Sequence, residues 1–84
     1  MSVEEDVRLL VDKIKEFGSA QEDGRLGVQF GLLYEKTVDI FEALNGTLRA
    51  AKKLKLVEFQ GQMLLKGAND NVIIFVVSSG EEGA

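Results

Sequence analysis

In the long segments before Leu56 the apolar residues recur at the helical spacing of about 3.6, and beyond it they alternate with a spacing of 2, so this chain must pack helices onto strands. Val3, Val7, Leu10, Val11, Ile14 and Phe17 fall on one stripe of an amphipathic helix. Ser2 is placed to cap it, and Glu5 to complete a capping box. Glu4, Glu5 and Asp6 lie where the helix dipole favours negative charge. Gly18 follows the last periodic residue and reads as the stop.

Residues 19–24 form a polar loop ending in the turn signal Asp23-Gly24. Leu26, Val28 and Phe30 then alternate with Arg25, Gly27 and Gln29, which predicts a short half-buried strand. Gly31-Leu32-Leu33-Tyr34-Glu35-Lys36 has room for one or two helical turns. A second long helix is expected over residues 39–55, with Ile40, Phe41, Leu44, Leu48, Ala51 and Leu54 on one face. Asn45-Gly46 falls in its middle, where glycine costs on the order of 1 kcal/mol relative to alanine. Either the helix breaks there, or Gly46 admits a close neighbour. Val57 and Phe59 alternate with Glu58 and Gln60; Met63-Leu64-Leu65 makes a second short run; and a turn cluster around Gly67 and Asn69-Asp70-Asn71 precedes a strand over residues 72–77.

The order helix, strand, short helix, helix, then a small meander predicts an α+β domain. The architecture expected is winged-helix-like, with about three helices packed on a small antiparallel sheet. It spans residues 1–78, with 79–84 as a frayed acidic tail. At 84 residues roughly 60% of the unfolded chain's surface can be buried, so most apolar residues are needed inside. A hydrophobic fraction of 45% with 29% charged residues is that of an ordinary globular domain rather than a disordered chain. The N-terminus is acidic where a signal peptide needs a basic region, and the apolar run at residues 72–77 is far shorter than the roughly 20 residues that span a bilayer. A cytoplasmic protein is expected.

Little here can do chemistry. There is no histidine and no cysteine, which removes the commonest general base, thiolate nucleophiles and most transition-metal ligands. Asp12 and Glu16, and Glu4, Glu5 and Asp6, read as solvated helix faces. The glycines at 24, 27 and 31 lack both the P-loop ending and GxGxxG spacing. No catalytic residue, metal or cofactor is expected.

The charge pattern is more informative. Against a net charge of −4, Arg49, Lys52, Lys53 and Lys55 cluster. Spacings of three and four place Arg49, Lys52 and Lys53 on one ridge, about opposite the Ile40/Leu44/Leu48 stripe, and Lys55 extends it. Two readings are open: lysines late in a helix complement its dipole and favour solubility, or they form a positive patch that meets an acidic partner. A nucleic-acid-binding winged helix is the alternative function, disfavoured by the net charge, by weak base readers (Asn45, Thr47, Ala50) and by a wing carrying Asn69-Asp70-Asn71. On the last strand Val72, Ile74 and Val76 can serve the core. Ile73, Phe75 and Val77 then face the other way, either covered or exposed to another protein.

Phe30-Gly31-Leu32-Leu33-Tyr34, Phe41-Glu42-Ala43-Leu44, Gly46-Thr47-Leu48-Arg49-Ala50-Ala51-Lys52-Lys53 and Lys55-Leu56-Val57 together resemble the diagnostic run of the costars family. Gly61, Leu64-Leu65, Gly67, Asp70 and Val72 match in spacing, as does the first helix with Ile14 and Phe17-Gly18-Ser19. Costars proteins are small relatives of the C-terminal domain of the muscle actin-binding Rho-activating protein. The resemblance implies a winged-helix-like fold and no enzymatic activity. Its implied role is binding actin filaments, or regulating actin dynamics and cell motility, with F-actin or actin regulators as partners in the cytoskeleton. It also implies that Gly46 stays inside a helix. The segment between Tyr34 and Phe41 is shorter than the family pattern, Asn45 stands where an apolar residue is usual, and Ile73 and Phe75 make the last strand more apolar. The family pattern assigns no filament contacts, so Arg49, Lys52, Lys53 and Lys55 rest on charge geometry.

Overall fold

The apolar stripe read in the first segment becomes α1, Val3–Phe17, in a computed structural model that describes residues 3–77. Val7, Leu10, Val11 and Ile14 are buried and Phe17 packs at the core's edge. The expected Ser2 cap and the 79–84 tail lie outside the described residues. Gly18 ends the helix, its N–H donating to the Ile14 carbonyl at 2.7 Å, but its need for glycine is steric. A Cβ there would stand 2.5 Å from the Gly27 carbonyl oxygen and 2.6 Å from that of Ile14. The chain crosses the next strand at backbone contact.

Residues 19–24, expected as loop, contribute a two-residue edge strand, β1 (Ser19–Ala20), paired antiparallel with β2 (Leu26–Gln29). The turn between them is closed by Gln21 N–H to the Arg25 carbonyl and by Arg25 N–H to Asp23 Oδ1, the local bonding that makes aspartate a turn residue. Two residues carry too little pattern for period-2 reading, which is why sequence missed β1.

Phe30, expected at the end of β2, is the first residue of α2 (Phe30–Thr37). It keeps a strand-like bond, its N–H reaching the Val72 carbonyl at 2.8 Å, while its ring enters the core at 1% exposure. Strand and helix therefore share one residue without a loop. Phe30, Leu33 and Thr37 line the buried side of α2, and the Thr37 hydroxyl donates to the Leu33 carbonyl.

The second long helix is shorter than expected: α3 is Leu44–Lys53, not 39–55. Residues 38–40 form a turn, with Ile40 N–H on the Thr37 carbonyl. Phe41 is buried from this irregular stretch, while Ile40 and Leu54 stand 40% and 55% exposed. The helical period persisted across a segment whose buried residue is held from a turn. Asn45-Gly46 thus sits in the first helical turn, where helix is not interrupted.

Met63-Leu64-Leu65 is not a strand. Only β3 (Val57–Glu58) and β4 (Ile73–Val76) complete the described sheet, whose order is β1-β2-β4-β3, all antiparallel. Register places Val28 opposite Ile74 and Val57 opposite Val76, so these side chains share the inner face. α1 packs across β2 and against α3 over that face, giving the α+β fold of three helices on a small antiparallel sheet. In the connection from β3 to β4, Leu64 plugs the core at 1% exposure while Met63 and Leu65 point outward.

Replacing Gly18 by alanine is expected to lower stability by about 1–3 kcal/mol through overpacking, read as a reduced urea midpoint with unchanged slope. An unaltered midpoint would show that α1 and β2 can separate without penalty.

Candidate interaction surface

In Leu44-Asn45-Gly46-Thr47-Leu48-Arg49-Ala50-Ala51-Lys52-Lys53 the buried positions are Thr47, Leu48 and Ala51. Helical spacing turns Gly46, Arg49, Ala50 and Lys53 away from that stripe. Arg49 and Lys53 are exposed, and no described carboxylate pairs with either, nor with Lys55. Leu56 N–H reaches the Ala51 carbonyl (3.0 Å) and Lys55 N–H that of Lys52 (2.9 Å). This is the two-bond closure that needs a left-handed residue after the helix. Lys55 takes that place with φ 65°. Glycine is usual there, because a Cβ costs about 1–2 kcal/mol in this conformation.

Lys52 departs from the expected ridge. Its ammonium donates to the carbonyls of Phe59 (2.8 Å) and Gly61 (2.7 Å) and lies 4.4 Å from the Phe59 ring centroid. Its charge is spent on holding the irregular connection after β3. Asn45 does the same further along: its Nδ2 donates to the Leu64 carbonyl (2.8 Å), and its Oδ1 accepts the Leu64 N–H (2.9 Å). The two tethers draw this connection alongside α3 and leave a depression of about 430 Å³, lined by Gly46, Arg49, Ala50, Lys52, Lys53 and Gln62. A Cβ on Gly46 would meet nothing nearer than Ala43 Cβ at 3.7 Å. Gly46 is therefore not required by packing; it leaves the floor of the depression low.

Of the four expected site residues, Arg49, Lys53 and Lys55 are thus free cations at α3 and its end, and Lys52 is the post that shapes the depression. Sequence reasoning missed Gln62 and the structural use of Lys52. A lysine bonding to carbonyls seven and nine residues on leaves no periodic signal. Asn45 did leave one, as a polar residue in an apolar slot.

The outer face of the sheet is the other exposed feature. Ile73, Phe75 and Gln21 close over Gly27, where a Cβ would lie 2.8 Å from Ile73 Cγ2. Ile73 and Phe75 remain half-buried and Val77 is exposed, so the row is partly covered rather than fully covered or bare. The Arg25 guanidinium lies 4.0 Å from the Phe75 ring centroid and is held by Asp23 Oδ2 (2.7 Å) and Glu58 Oε1 (3.0 Å). The Arg25 N–H and guanidinium on its carboxylate hold Asp23 below the ordinary aspartate range. In the connection, the Gly67 N–H does the same for Asp70, aided by Lys66. Among the described residues no cluster of acidic side chains could hold a metal ion, and no helix is long and apolar enough to cross a membrane.

Fold and surface together define a small α+β domain with two exposed features, the cations of α3 beside a depression and a half-covered apolar row on the sheet. The Costars family model matches residues 2–77, and the chain belongs to the Costars family. The Costars family protein ABRACL of Xenopus tropicalis is 49% identical over 79 residues, covering 92% of this chain and 98% of that protein. The human protein of that name is 46% identical with the same coverage. The solution structure of human HSPC280 protein superposes with a TM-score of 0.87 at 44% identity, covering 96% of this chain and 98% of that one.

Lys52→Met is expected to cost about 1.5–3 kcal/mol, because two carbonyls lose a charged donor. Lys53→Met should stay within about 0.5 kcal/mol of the parent. Equal midpoints for the two variants in chemical denaturation would refute the tether. Lys55→Gly should raise stability by about 1 kcal/mol by relieving the left-handed backbone; thermal unfolding that shifts downward would contradict this.

Proposed function

We propose that this protein is a non-enzymatic, actin-associated module of the cytoplasm, which meets an acidic surface of F-actin through Arg49, Lys53 and Lys55. The observation that carries the reading is that these three cations have no ion-pair partner among the described residues, on a chain of net charge −4. Elsewhere Arg25, Lys66 and Lys13 are each paired with carboxylates, and Arg8, Lys15 and Lys36, which have no ion pair among the described residues either, do not line the depression beside α3. Unpaired Arg49 and Lys53 on the lining of a shaped depression, with Lys55 just past the helix end, favour an acidic partner over mere solubility, for which any surface site would serve. Membership in the Costars family, with the actin role that the costars resemblance implies, directs the choice of that partner to actin or its regulators, and from there to motility.

The architecture also supports a winged-helix-like reading, in which α2 and α3 are the paired helices and the connection from β3 to β4 is the wing. Nucleic acid gains no support from it. The wing's Lys66 is engaged by Glu35 and Asp70 and Lys52 is bound to carbonyls, so the α3 ridge and the wing offer Arg49, Lys53 and Lys55 for phosphate on a chain of net charge −4.

The test is co-sedimentation with filamentous actin at two salt concentrations, since exposed charges are screened over about 10 Å at 0.1 M. Arg49→Glu combined with Lys53→Glu should weaken pelleting by about tenfold or more, equivalent to about 1.4 kcal/mol. Arg8→Glu combined with Lys15→Glu changes net charge equally on exposed positions of α1 and should leave pelleting intact. Equal loss in both pairs would reduce the effect to net charge, and retention in both would remove α3 as the contact.

A further inference from the structure

We propose that the outer face of the sheet is a second docking surface, one that takes an extended partner segment alternating basic and aliphatic side chains. This goes beyond the actin reading and rests on separate residues, in the layer opposite to α3.

Ile73 and Phe75 project from β4 at the two-residue spacing of a strand, and they form a ridge between two depressions. One, of about 530 Å³, lies between the Arg25–Glu58 pair and the amides of Asn69 and Asn71. The other, of about 360 Å³, is bounded by Gln21, Glu22 and Asp23. An aliphatic side chain laid on the ridge would continue an apolar surface that Gly27 keeps low. The side chains before and after it in an extended segment would enter the depressions.

What they would meet there is negative. Glu22, Asp23 and Glu58 stand against the single guanidinium of Arg25, an excess of two carboxylates, and no lysine lines either depression. Arg25 is already held by two of these carboxylates and stacked on Phe75, so it is poorly placed to receive an acidic ligand. Glu22 has no partner among the described residues, and each carboxylate of the Arg25 pair is substantially exposed, at 49% and 61% of its side chain. Charge complementarity therefore selects a basic segment, and the half-buried ridge selects aliphatic residues within it. A second copy presenting its α3 cations is the competing occupant. It would make a heterologous, head-to-tail contact.

The experiment uses the ¹⁵N-labelled full chain, titrated with a short N-acetylated peptide alternating lysine and valine and followed by amide chemical shifts. Shifts are expected at Asp23, Arg25, Glu58, Ile73 and Phe75. A peptide alternating lysine and serine should bind about threefold or more weakly for want of apolar contact, and one alternating glutamate and valine should not bind. Glu22→Lys with Glu58→Gln, which keeps a hydrogen-bond acceptor for Arg25, should weaken the lysine–valine peptide about tenfold. Ile73→Thr should abolish its advantage over lysine–serine. Arg49→Glu with Lys53→Glu should leave this binding unchanged, which separates it from the actin contact. Equal affinity for the two lysine peptides, shifts confined to α3, or shifts at these residues that follow protein concentration without peptide would each overturn the proposal.

Discussion

Asn45 holds both backbone groups of Leu64, and much of the remaining structure depends on that pair of hydrogen bonds. The connection from β3 to β4 has no regular secondary structure, yet it must carry Phe59 and Leu64 into the core. Buried backbone polar groups need partners, and here they come from α3 side chains rather than from a ladder. Asn45 satisfies Leu64 at one end, and Lys52 takes the Phe59 and Gly61 carbonyls at the other. Further on, Asn69 Oδ1 accepts the Leu65 N–H and Asp70 Oδ1 that of Gly67. Polar side chains thus let a small domain use a long irregular segment as core and surface at once. No buried side-chain nitrogen or oxygen of the described residues is left without a partner.

This explains which parts of the fold were legible in the sequence. α1 was, because Val7, Leu10, Val11 and Ile14 are all buried on one stripe and helical period reports burial directly. β4 was, because residues 72–77 are a run of β-branched and aromatic residues bounded by a turn cluster. The start of α3 was not: Phe41 obeys the helical spacing but reaches the core from a turn, and periodicity detects burial without detecting the backbone that delivers it. Phe30 was misplaced for a similar reason, since it keeps a strand's hydrogen bond to Val72 while its backbone is already helical. The basic cluster was legible as a charge pattern. The division of labour within it was not, because Lys52 differs from Lys53 only through carbonyls that the tertiary fold brings near.

α3 is not optimised as a helix. Its N-cap, Ala43, offers no side-chain acceptor, and its first turn holds no acidic residue. Gly46 follows in that turn, and Lys55 occupies a left-handed site that suits glycine. Each feature lowers stability, yet Gly46 keeps the floor of the depression open and Lys55 adds a cation past the end of α3. Asn45, which could have capped a helix, is used instead to fix the facing wall. Local preferences are set aside at a helix where Arg49 and Lys53 are exposed without an ion pair among the described residues, the pattern expected where a surface serves binding rather than folding.

The distribution of charge over the two layers has a consequence for how partners can be combined. A net charge of −4 would repel an acidic filament at long range, so the proposed contact relies on a local field at Arg49, Lys53 and Lys55. Screening favours such a contact over the distant repulsion: charges beyond about a Debye length are largely screened at physiological ionic strength, whereas cations at contact distance are not. Part of the negative charge, Glu22, Asp23 and Glu58 against Arg25, lies on the outer face of the sheet, in the layer opposite to α3. A molecule polarised in this way can hold acidic and basic surfaces on opposite sides without either partner displacing the other. If both proposed contacts hold, bridging rather than competition is the arrangement this polarity would favour.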